Sequence, residues 1–280
     1  MTFKGKTILV TGGAGSIGSA LVKKLLEYDP KSIRILDIDE YGLFKLRSEV
    51  KDEKVRLLLG DIRNSERVRL AVKGVDIVFH TAALKHVGIC QYNPDEAIET
   101  DIIGTLNVVK SSLEEQSVKK FIYLSSDKAV NPNAIYGCCK LLGEFLVNWA
   151  NQIQQNDKKF ATVRFCNVWE TRGNINEIWH QQMSEGKPLT VTSKDMVRYF
   201  TSLPEAIALI IKAAVMADGG EIFVPHHVAA SNIYELASKM SGNIEIIGIR
   251  PGEKLVEQLL TNDEKDRSQL TDDFYIIRQV

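Results

Sequence analysis

Short apolar runs alternate with segments of helical hydrophobic spacing through the first half of the chain. The apolar runs predict six strands: Lys6–Thr11, Ile33–Leu36, Val55–Leu59, Ile77–Phe79, Phe121–Leu124 and Phe160–Phe165. The helical spacing predicts long helices: Ser16–Tyr28, a segment from Pro94 to about Gln116, and Ala134–Gln154. This alternation is typical of right-handed βαβ units, so we expect an α/β fold with a doubly wound parallel sheet of the Rossmann type.

The pattern changes after Gly173, where the predicted elements become shorter and less regular. Prolines punctuate this half of the chain, at positions 188, 204, 225 and 251. We therefore expect a dinucleotide-binding domain over residues 1–172 and a smaller α/β substrate lobe over residues 173–280, with the chain able to cross between them. The smaller lobe is expected to cover the carboxyl ends of the strands.

Composition narrows the class of protein. The chain has 280 residues, 44% of them hydrophobic, and a net charge of −1 with a pI near 6.5. These values predict a large core and give no basic patch for nucleic acid. Apolar runs are too short to span a membrane, and the N-terminus lacks a signal-peptide pattern, so a cytoplasmic protein is expected. The four cysteines and five histidines show no metal-ligand spacing, so reduced thiols and no metal site are predicted.

The first predicted strand runs into a glycine-rich loop that opens a helix. Its phosphate-binding candidates are Gly12, Gly15, Ser16, Ile17 and Gly18. Glycines let the backbone approach a pyrophosphate, which rests on the helix N-terminus. A glycine cluster alone also fits an ordinary turn, but the strand–loop–helix context favours dinucleotide binding.

Polar and small residues at the ends of the next strands extend this prediction. Asp37 ends the second strand, where its carboxylate suits the adenosine ribose and disfavours a 2′-phosphate. The predicted cofactor is therefore NAD, with NADP as the alternative; a solvated strand-end Asp37 is the simpler interpretation. Asp61 and Ile62 suit the adenine edge, and the small residues Ala82 and Ala83 let the backbone lie against the cofactor.

Candidate catalytic groups cluster around the fifth strand. Ser125 and Ser126 are expected to follow that strand, at the sheet edge where ligands bind. Tyr136 and Lys140 lie four residues apart on the next helix, so they share one face, and the Lys cation is expected to lower the phenol pKa. Each residue alone also fits a half-buried aromatic or a solvated cation.

Two further groups precede this helix. Asp127 and Lys128 offer a second acid/base pair, which simple alcohol oxidation does not need. A loop ion pair of little energetic value is the alternative interpretation. With the phosphate loop, the two pairs indicate an enzyme whose reaction includes several proton transfers.

Motifs along nearly the whole chain carry a more specific resemblance. They are Gly12–Gly18 with its G-x-x-G-x-x-G spacing, Ala83–Val87, Asn93–Thr100, Leu124–Pro132, Tyr136–Lys140, Val163–Val168, Met196–Phe200, Pro204–Ala206, Gly219–Pro225 and Gly248–Leu255. Together they resemble the extended short-chain dehydrogenases/reductases, and within them the soluble, C5-inverting UDP-N-acetylglucosamine 4,6-dehydratases of the polysaccharide biosynthesis protein family. The pair Asp127-Lys128 distinguishes this group from the dehydratases that retain the configuration at carbon 5, which carry Asp-Glu at this place.

The resemblance implies roles for further residues. Tyr136, aided by Ser126 and Lys140, would take the sugar 4-hydroxyl proton, Lys128 the carbon 5 proton, and Asp127 would protonate the leaving 6-hydroxyl. The remaining implied site residues are Lys85, placed at both cofactor and substrate, and the substrate candidates His86, Asn167, Arg198, Arg250 and Glu253. Arg198 and Arg250 suit a substrate diphosphate, although surface arginines are the simpler interpretation.

Several positions depart from the family pattern, and alternatives stay open. Asp101 replaces Asn, Ser126 replaces Thr, and Trp169-Glu170 stands where a Gly-Ser turn is expected. A nucleotide-sugar 4-epimerase would need Tyr136 and Lys140 but not the pair Asp127-Lys128. A non-catalytic NAD(P)-binding protein is the third hypothesis. The extended family also suggests a homo-oligomer, a dimer or larger, joined through the two long helices, and a UDP-sugar as the partner.

Overall fold

A large, mostly parallel sheet organises the protein, as the computed structural model of residues 3–278 shows. Its strands are β1 (Thr7–Thr11), β2 (Ser32–Asp37), β3 (Val55–Leu59), β4 (Ile77–His80), β5 (Lys120–Ser126), β6 (Lys159–Phe165), β10 (Glu221–Pro225), β13 (Gln269–Leu270) and β14 (Phe274–Arg278). They lie side by side in the order β13-β14-β10-β6-β5-β4-β1-β2-β3. Strands β1 to β6 and β10 pair in parallel, and β13 and β14 close one edge antiparallel. The predicted doubly wound α/β fold is confirmed.

Helices cover both faces of the sheet. They are α1 (Ser16–Leu26), α2 (Glu40–Glu49), α3 (Ser65–Val72), α4 (Val87–Tyr92), α5 (Pro94–Ile98), a π-helical turn (Glu99–Gly104), α6 (Thr105–Glu114), α7 (Ile135–Ile153), α8 (Ile175–Ser184), α9 (Leu203–Met216), α10 (Ile233–Met240) and α11 (Asn262–Asp266). Helices α1, α2 and α9 bury one apolar core against the sheet, and α3, α6 and α7 bury the other. Burial of both sheet faces explains the nearly continuous apolar strands of the sequence.

The chain crosses back into the large sheet after entering the smaller lobe. That lobe contains one sheet of β7 (Asn167–Val168), β9 (Val197–Thr201) and β11 (Ala229–Asn232), and a second sheet of β8 (Leu189–Val191) and β12 (Ile244–Ile246). Between these segments, α9 and β10 return to the nucleotide half. The proline-punctuated half of the sequence therefore contributes to both lobes.

Two predicted elements differ from the structure in ways that matter for the site. Strand β5 runs through Ser126, so the two serines lie in the strand and not after it, because they continue the pairing with β6 as far as Phe165. The predicted long helix from Pro94 is interrupted by the π-helical turn, which places Asp101 in a fully buried position. Such turns often mark functional sites.

None of the helices within residues 3–278 is both long enough and apolar enough to cross a membrane.

Candidate active site

A cleft of about 770 Å³ lies at the carboxyl ends of the parallel strands and is walled by both lobes. All the predicted site residues except Asp127 line it: Gly12, Gly15, Ser16, Ile17, Gly18, Asp37, Asp61, Ile62, Ala82, Ala83, Lys85, His86, Ser126, Lys128, Tyr136, Lys140, Asn167, Arg198, Arg250 and Glu253. Residues far apart in sequence converge because parallel strands end at the same sheet edge.

The glycine loop forms a tight cradle at one end of the cleft. Gly12 has a φ of +69°, and a Cβ there would lie 2.6 Å from the Ala82 backbone. A Cβ on Gly18 would overlap the carbonyl oxygen of Gly12. Because α1 begins at Ser16, its unpaired amides face the same space. This close-packed, amide-rich loop fits the pyrophosphate of a dinucleotide.

Asp37 ties the loop to the end of β2. Its Oδ2 accepts a hydrogen bond from the Ala14 amide at 2.8 Å, and its Oδ1 accepts one from the Asp39 amide at 3.0 Å. Each carboxylate oxygen retains a second lone pair, so Asp37 can still accept from a ribose hydroxyl at the cleft wall.

Asp61 is held beside the same wall by Arg63. The Arg63 guanidinium lies 2.6 Å from Asp61 Oδ2. Partial burial raises the pKa of Asp61, but the hydrogen bonds and charge of Arg63 lower it by a larger amount, so the pKa is lowered overall. The carboxylate therefore fixes this turn, and Ile62 presents an apolar, buried side chain at the cleft.

A hydrogen-bonded trio spans the end of β5 and the turn that follows it. The Ser126 hydroxyl donates to Asp127 Oδ1 at 2.8 Å, and Lys128 Nζ donates to the same oxygen at 3.0 Å. Asp127 is fully buried, whereas Lys128 reaches the cleft. Among residues 3–278, Asp127 Oδ2 has no hydrogen-bond partner. Asp127 thus lies under the cleft wall and meets the cleft through Ser126 and Lys128.

Tyr136 and Lys140 occupy the buried face of α7. Lys140 Nζ donates to the Leu124 carbonyl at 3.0 Å and lies 5.9 Å from the centre of the Tyr136 ring. Burial lowers the pKa of Lys140. The expectation of a lowered phenol pKa is wrong for the protein without ligands, because burial, followed by the charges of Asp101 and Asp127, raises the pKa of Tyr136.

Asp101 is a buried acidic residue next to the cleft residues of α7. It is 1% exposed, and its Oδ1 accepts from the Leu84 amide at 2.8 Å. Burial raises its pKa to about 6, although Lys140 and the Leu84 amide act in the opposite direction.

Lys85, His86 and Arg172 close the cleft from the side. Lys85 Nζ donates to the Arg172 carbonyl, and burial lowers the pKa values of both Lys85 and His86. The Arg172 amide donates to Ser16 Oγ at 2.9 Å, and its guanidinium donates to the Ala14 carbonyl. Sequence reasoning missed Arg172; the only available signal was the unexpected Trp169-Glu170 turn just before it.

The predicted diphosphate-binding residues differ in their surroundings. Arg198 donates to the carbonyls of Val197, Lys254 and Leu255, so its guanidinium already stabilises loop backbone. Asn167 Nδ2 likewise donates to the Tyr199 carbonyl at 3.0 Å.

Arg250 is 65% exposed at the cleft, and its Nε donates to Glu253 Oε1 at 2.9 Å. Burial raises the pKa of Glu253, but the hydrogen bonds and charge of Arg250 lower it, and the net direction is down. The guanidinium of Arg250 is therefore freer to adapt to a ligand than that of Arg198.

The cysteines and acidic groups show no sign of metal binding in the part of the chain that the structure describes. All four cysteines there are free thiols, and no group of three His, Cys, Asp or Glu residues could hold an ion.

Residues 8–279 match the family described as Polysaccharide biosynthesis protein, and the chain belongs to this family. It is 44% identical to the Uncharacterized membrane protein MJ1061 of Methanocaldococcus jannaschii, over 98% of this chain and 86% of that protein. It is 38% identical to a UDP-N-acetylglucosamine 4,6-dehydratase (inverting) of Campylobacter jejuni, over 98% and 83%. A UDP-glucose 4-epimerase of Rickettsia bellii is 36% identical over the same shares. Two of these relatives are thus named as a nucleotide-sugar dehydratase and a nucleotide-sugar epimerase.

Solved structures support the same fold. The X-ray structure of Pen from Bacillus thuringiensis superposes with a TM-score of 0.95 at 38% identity, covering 99% of this chain and 90% of that one. The dTDP-glucose 4,6-dehydratase DesIV from Streptomyces venezuelae, crystallised with NAD, has a TM-score of 0.84 at 21% identity, covering 95% and 93%. At 21% identity, the similarity to DesIV shows a shared fold and nothing more specific.

Proposed function

We propose that this protein is a UDP-N-acetylglucosamine 4,6-dehydratase that inverts carbon 5. The observation that carries the proposal is the trio Ser126, Asp127 and Lys128, which is hydrogen-bonded within 3.0 Å. Its two outer members line the same cleft as Tyr136 and Lys140. The Campylobacter jejuni relative supports the substrate and the reaction.

NAD is the proposed cofactor. The glycine cradle, the amides at the start of α1 and the carboxylate of Asp37 would hold it, and Tyr136 and Lys140 would face its reactive end. When bound, NAD supplies a hydride acceptor that later returns the hydride, so no outside reductant is consumed. Asp37 disfavours a 2′-phosphate by like charge, which is why NAD is proposed over NADP.

Tyr136 takes the proton from the 4-hydroxyl as carbon 4 is oxidised. The cation of Lys140 and the hydroxyl of Ser126 support the phenolate in this step. The resulting ketone acidifies the carbon 5 proton, which Lys128 removes as the base.

Asp127 supplies the proton with which the 6-hydroxyl departs as water. Because its carboxyl is buried, that proton reaches the cleft through Ser126, whose Oγ lies 2.8 Å from Oδ1. The hydride stored on the cofactor would return to carbon 6, and a water molecule in the cleft would give carbon 5 a proton on the face opposite Lys128.

Arg250 is proposed to bind the substrate diphosphate, with Glu253 ordering its guanidinium. Arg198 and Asn167 are proposed to support that site from the neighbouring strands, and Lys85 and His86 to contact the sugar from the side of the cleft.

One assay tests the function. Purified protein is incubated with UDP-N-acetylglucosamine and catalytic NAD, and the products are analysed by mass spectrometry and magnetic resonance. A 4-keto-6-deoxy product lighter by one water is expected without added reductant. Recovery of only the 4-epimer would favour the activity named for the Rickettsia relative. Cofactor binding without turnover of any UDP-sugar would favour a non-catalytic dinucleotide-binding protein.

We also propose a dimer in which α7 packs against α7 of a second copy. Its outer face carries apolar side chains that are exposed in the single chain: Leu142, Phe145, Trp149 and Ile153. Ile98 and Ile103 extend this surface on the adjoining helices. Phe145→Glu should convert a dimer into a monomer in sedimentation velocity, whereas the exposed control Tyr92→Glu should not.

A further inference from the structure

The buried carboxyl of Asp101 faces the catalytic pair without being a conventional member of it. The π-helical turn places Asp101 inside the protein, where the Leu84 amide engages Oδ1. Within residues 3–278, Oδ2 has no hydrogen-bond partner although it is buried. A buried carboxyl with one unsatisfied oxygen is costly to keep ionised, so its presence requires an explanation.

The groups that face Asp101 come from three elements. Cys90 on α4 and Tyr136 and Cys139 on α7 pack in one buried cluster with Ile102, the neighbour of Asp101. The charge of Asp101 also acts on Tyr123 of β5 and on Lys140 of α7. In the described part of the chain, Lys140 is the cation among these groups. Its Nζ donates to the Leu124 carbonyl and not to Asp101, so its charge acts on Asp101 through space. The cysteines and tyrosines are neutral until they lose a proton, and burial raises the pKa of each.

One cation therefore serves two acids. Lys140 favours an anion on Asp101 and an anion on Tyr136, but two buried anions near one cation repel each other. An Asn at this position would leave the whole field of Lys140 to the phenol.

We propose that Asp101 and Tyr136 form a coupled pair of acids on the single cation of Lys140, so that the ionisation of Asp101 opposes the ionisation of Tyr136. Asp101 is then a positioning residue that acts through Lys140 and sets the pH at which the phenol becomes a base. This inference deepens the proposed function, and the turnover experiment described below rests on that function.

The first experiment follows the carboxyl itself and needs no turnover. The infrared carbonyl band of protonated Asp101 is identified as the band missing from Asp101→Asn, and it should disappear near pH 6 as the group ionises. Lys140→Met removes the cation and should move that titration upward by about one pH unit or more. Glu99→Gln, an exposed carboxyl in the same turn, should retain the band and its midpoint. Permanent ionisation of Asp101, or an unchanged midpoint in Lys140→Met, would overturn the proposal.

The second experiment measures kcat/KM for UDP-N-acetylglucosamine against pH. The limb that rises as Tyr136 becomes a base should move to lower pH by about one unit or more in Asp101→Asn, and Glu99→Gln should match the parent. A variant that is merely less stable would lose rate at every pH without moving the limb. An unmoved limb would overturn the coupling, whereas absence of turnover in the parent would refute only the dehydratase, since the infrared arm stands by itself.

Discussion

The proposed catalytic edge of the nucleotide half and the proposed substrate side of the cleft are built in opposite ways. At the edge, Asp127, Tyr136 and Lys140 are almost fully buried; Asp127 lies in the turn directly after β5, and the other two lie on α7. On the substrate side, Arg250 is largely exposed, and its guanidinium is paired with Glu253 three residues away. Burial makes charge interactions strong and positions fixed, whereas exposure leaves them screened and adaptable. Changes at the edge should therefore alter the rate of reaction, and changes on the substrate side should alter binding.

The largest effect is expected from Tyr136→Phe, which removes the proposed base for the first step. Turnover should fall by about 10⁴-fold or to background, the upper range for one positioned proton transfer. The measurement combines product formation with the absorbance of transiently reduced cofactor, which should also vanish. Tyr92→Phe, at an exposed position, is the control and should behave like the parent. Transient reduction persisting in Tyr136→Phe would remove Tyr136 from the oxidation step.

Lys128→Met should slow dehydration by about 10²–10⁴-fold while cofactor affinity stays nearly unchanged, because Lys128 is proposed to act on carbon 5 alone. Turnover in heavy water, with deuterium at carbon 5 followed by magnetic resonance, separates this step from the oxidation. Lys187→Met, a change at an exposed lysine, should leave the exchange rate unaltered. Parental exchange in Lys128→Met would reduce the role of Lys128 to its ion pair with Asp127.

Asp101→Asn should increase the free energy of unfolding at neutral pH. The pKa of Asp101 is raised to about 6 in the folded protein, above its usual value of about 4, so the folded state holds this proton more tightly. Its stabilising contribution is therefore complete below about pH 4 and is lost as pH rises toward 6. The gain from Asn should grow over this window to at most about 3 kcal/mol and then remain constant.

Urea unfolding of Asp101→Asn and the parent at pH 4, 6 and 8 measures that gain. Glu99→Gln supplies the control for loss of a carboxylate at an exposed site in the same turn. A gain that is equal at all three pH values would mean that the ionisation of Asp101 does not contribute to it.

The smallest effect is expected on the substrate side. Arg250→Ala should raise KM by about tenfold and leave kcat nearly unchanged, since it removes a contact made equally in the ground and transition states. Arg267→Ala, another exposed arginine paired within its own segment, should leave both constants as they are. A fall in kcat with unchanged KM would place Arg250 at the reacting end of the sugar.

Much of the catalytic edge could be predicted because local rules apply to it. The strand–glycine–helix pattern predicted the loop at Gly12, and the four-residue spacing predicted a common face for Tyr136 and Lys140. The direction of the Tyr136 pKa could not be predicted, because it depends on burial and on Asp101, which is 35 positions away in the chain (136 minus 101) and meets it only through packing. The inward turn of Arg198 toward the 254–255 backbone is likewise a long-range contact.

The sequence by itself determined the alternation of strands and helices, the glycine loop and the common helix face of Tyr136 and Lys140, since each depends on neighbours within a few positions. Tertiary structure alone decided that Asp127 is buried under the cleft wall, that Arg172 lies against the phosphate loop, and that Asp101 faces Lys140. The physical reason is that charge strength and solvent access depend on everything packed around a group, and the sheet brings together residues that the chain keeps apart.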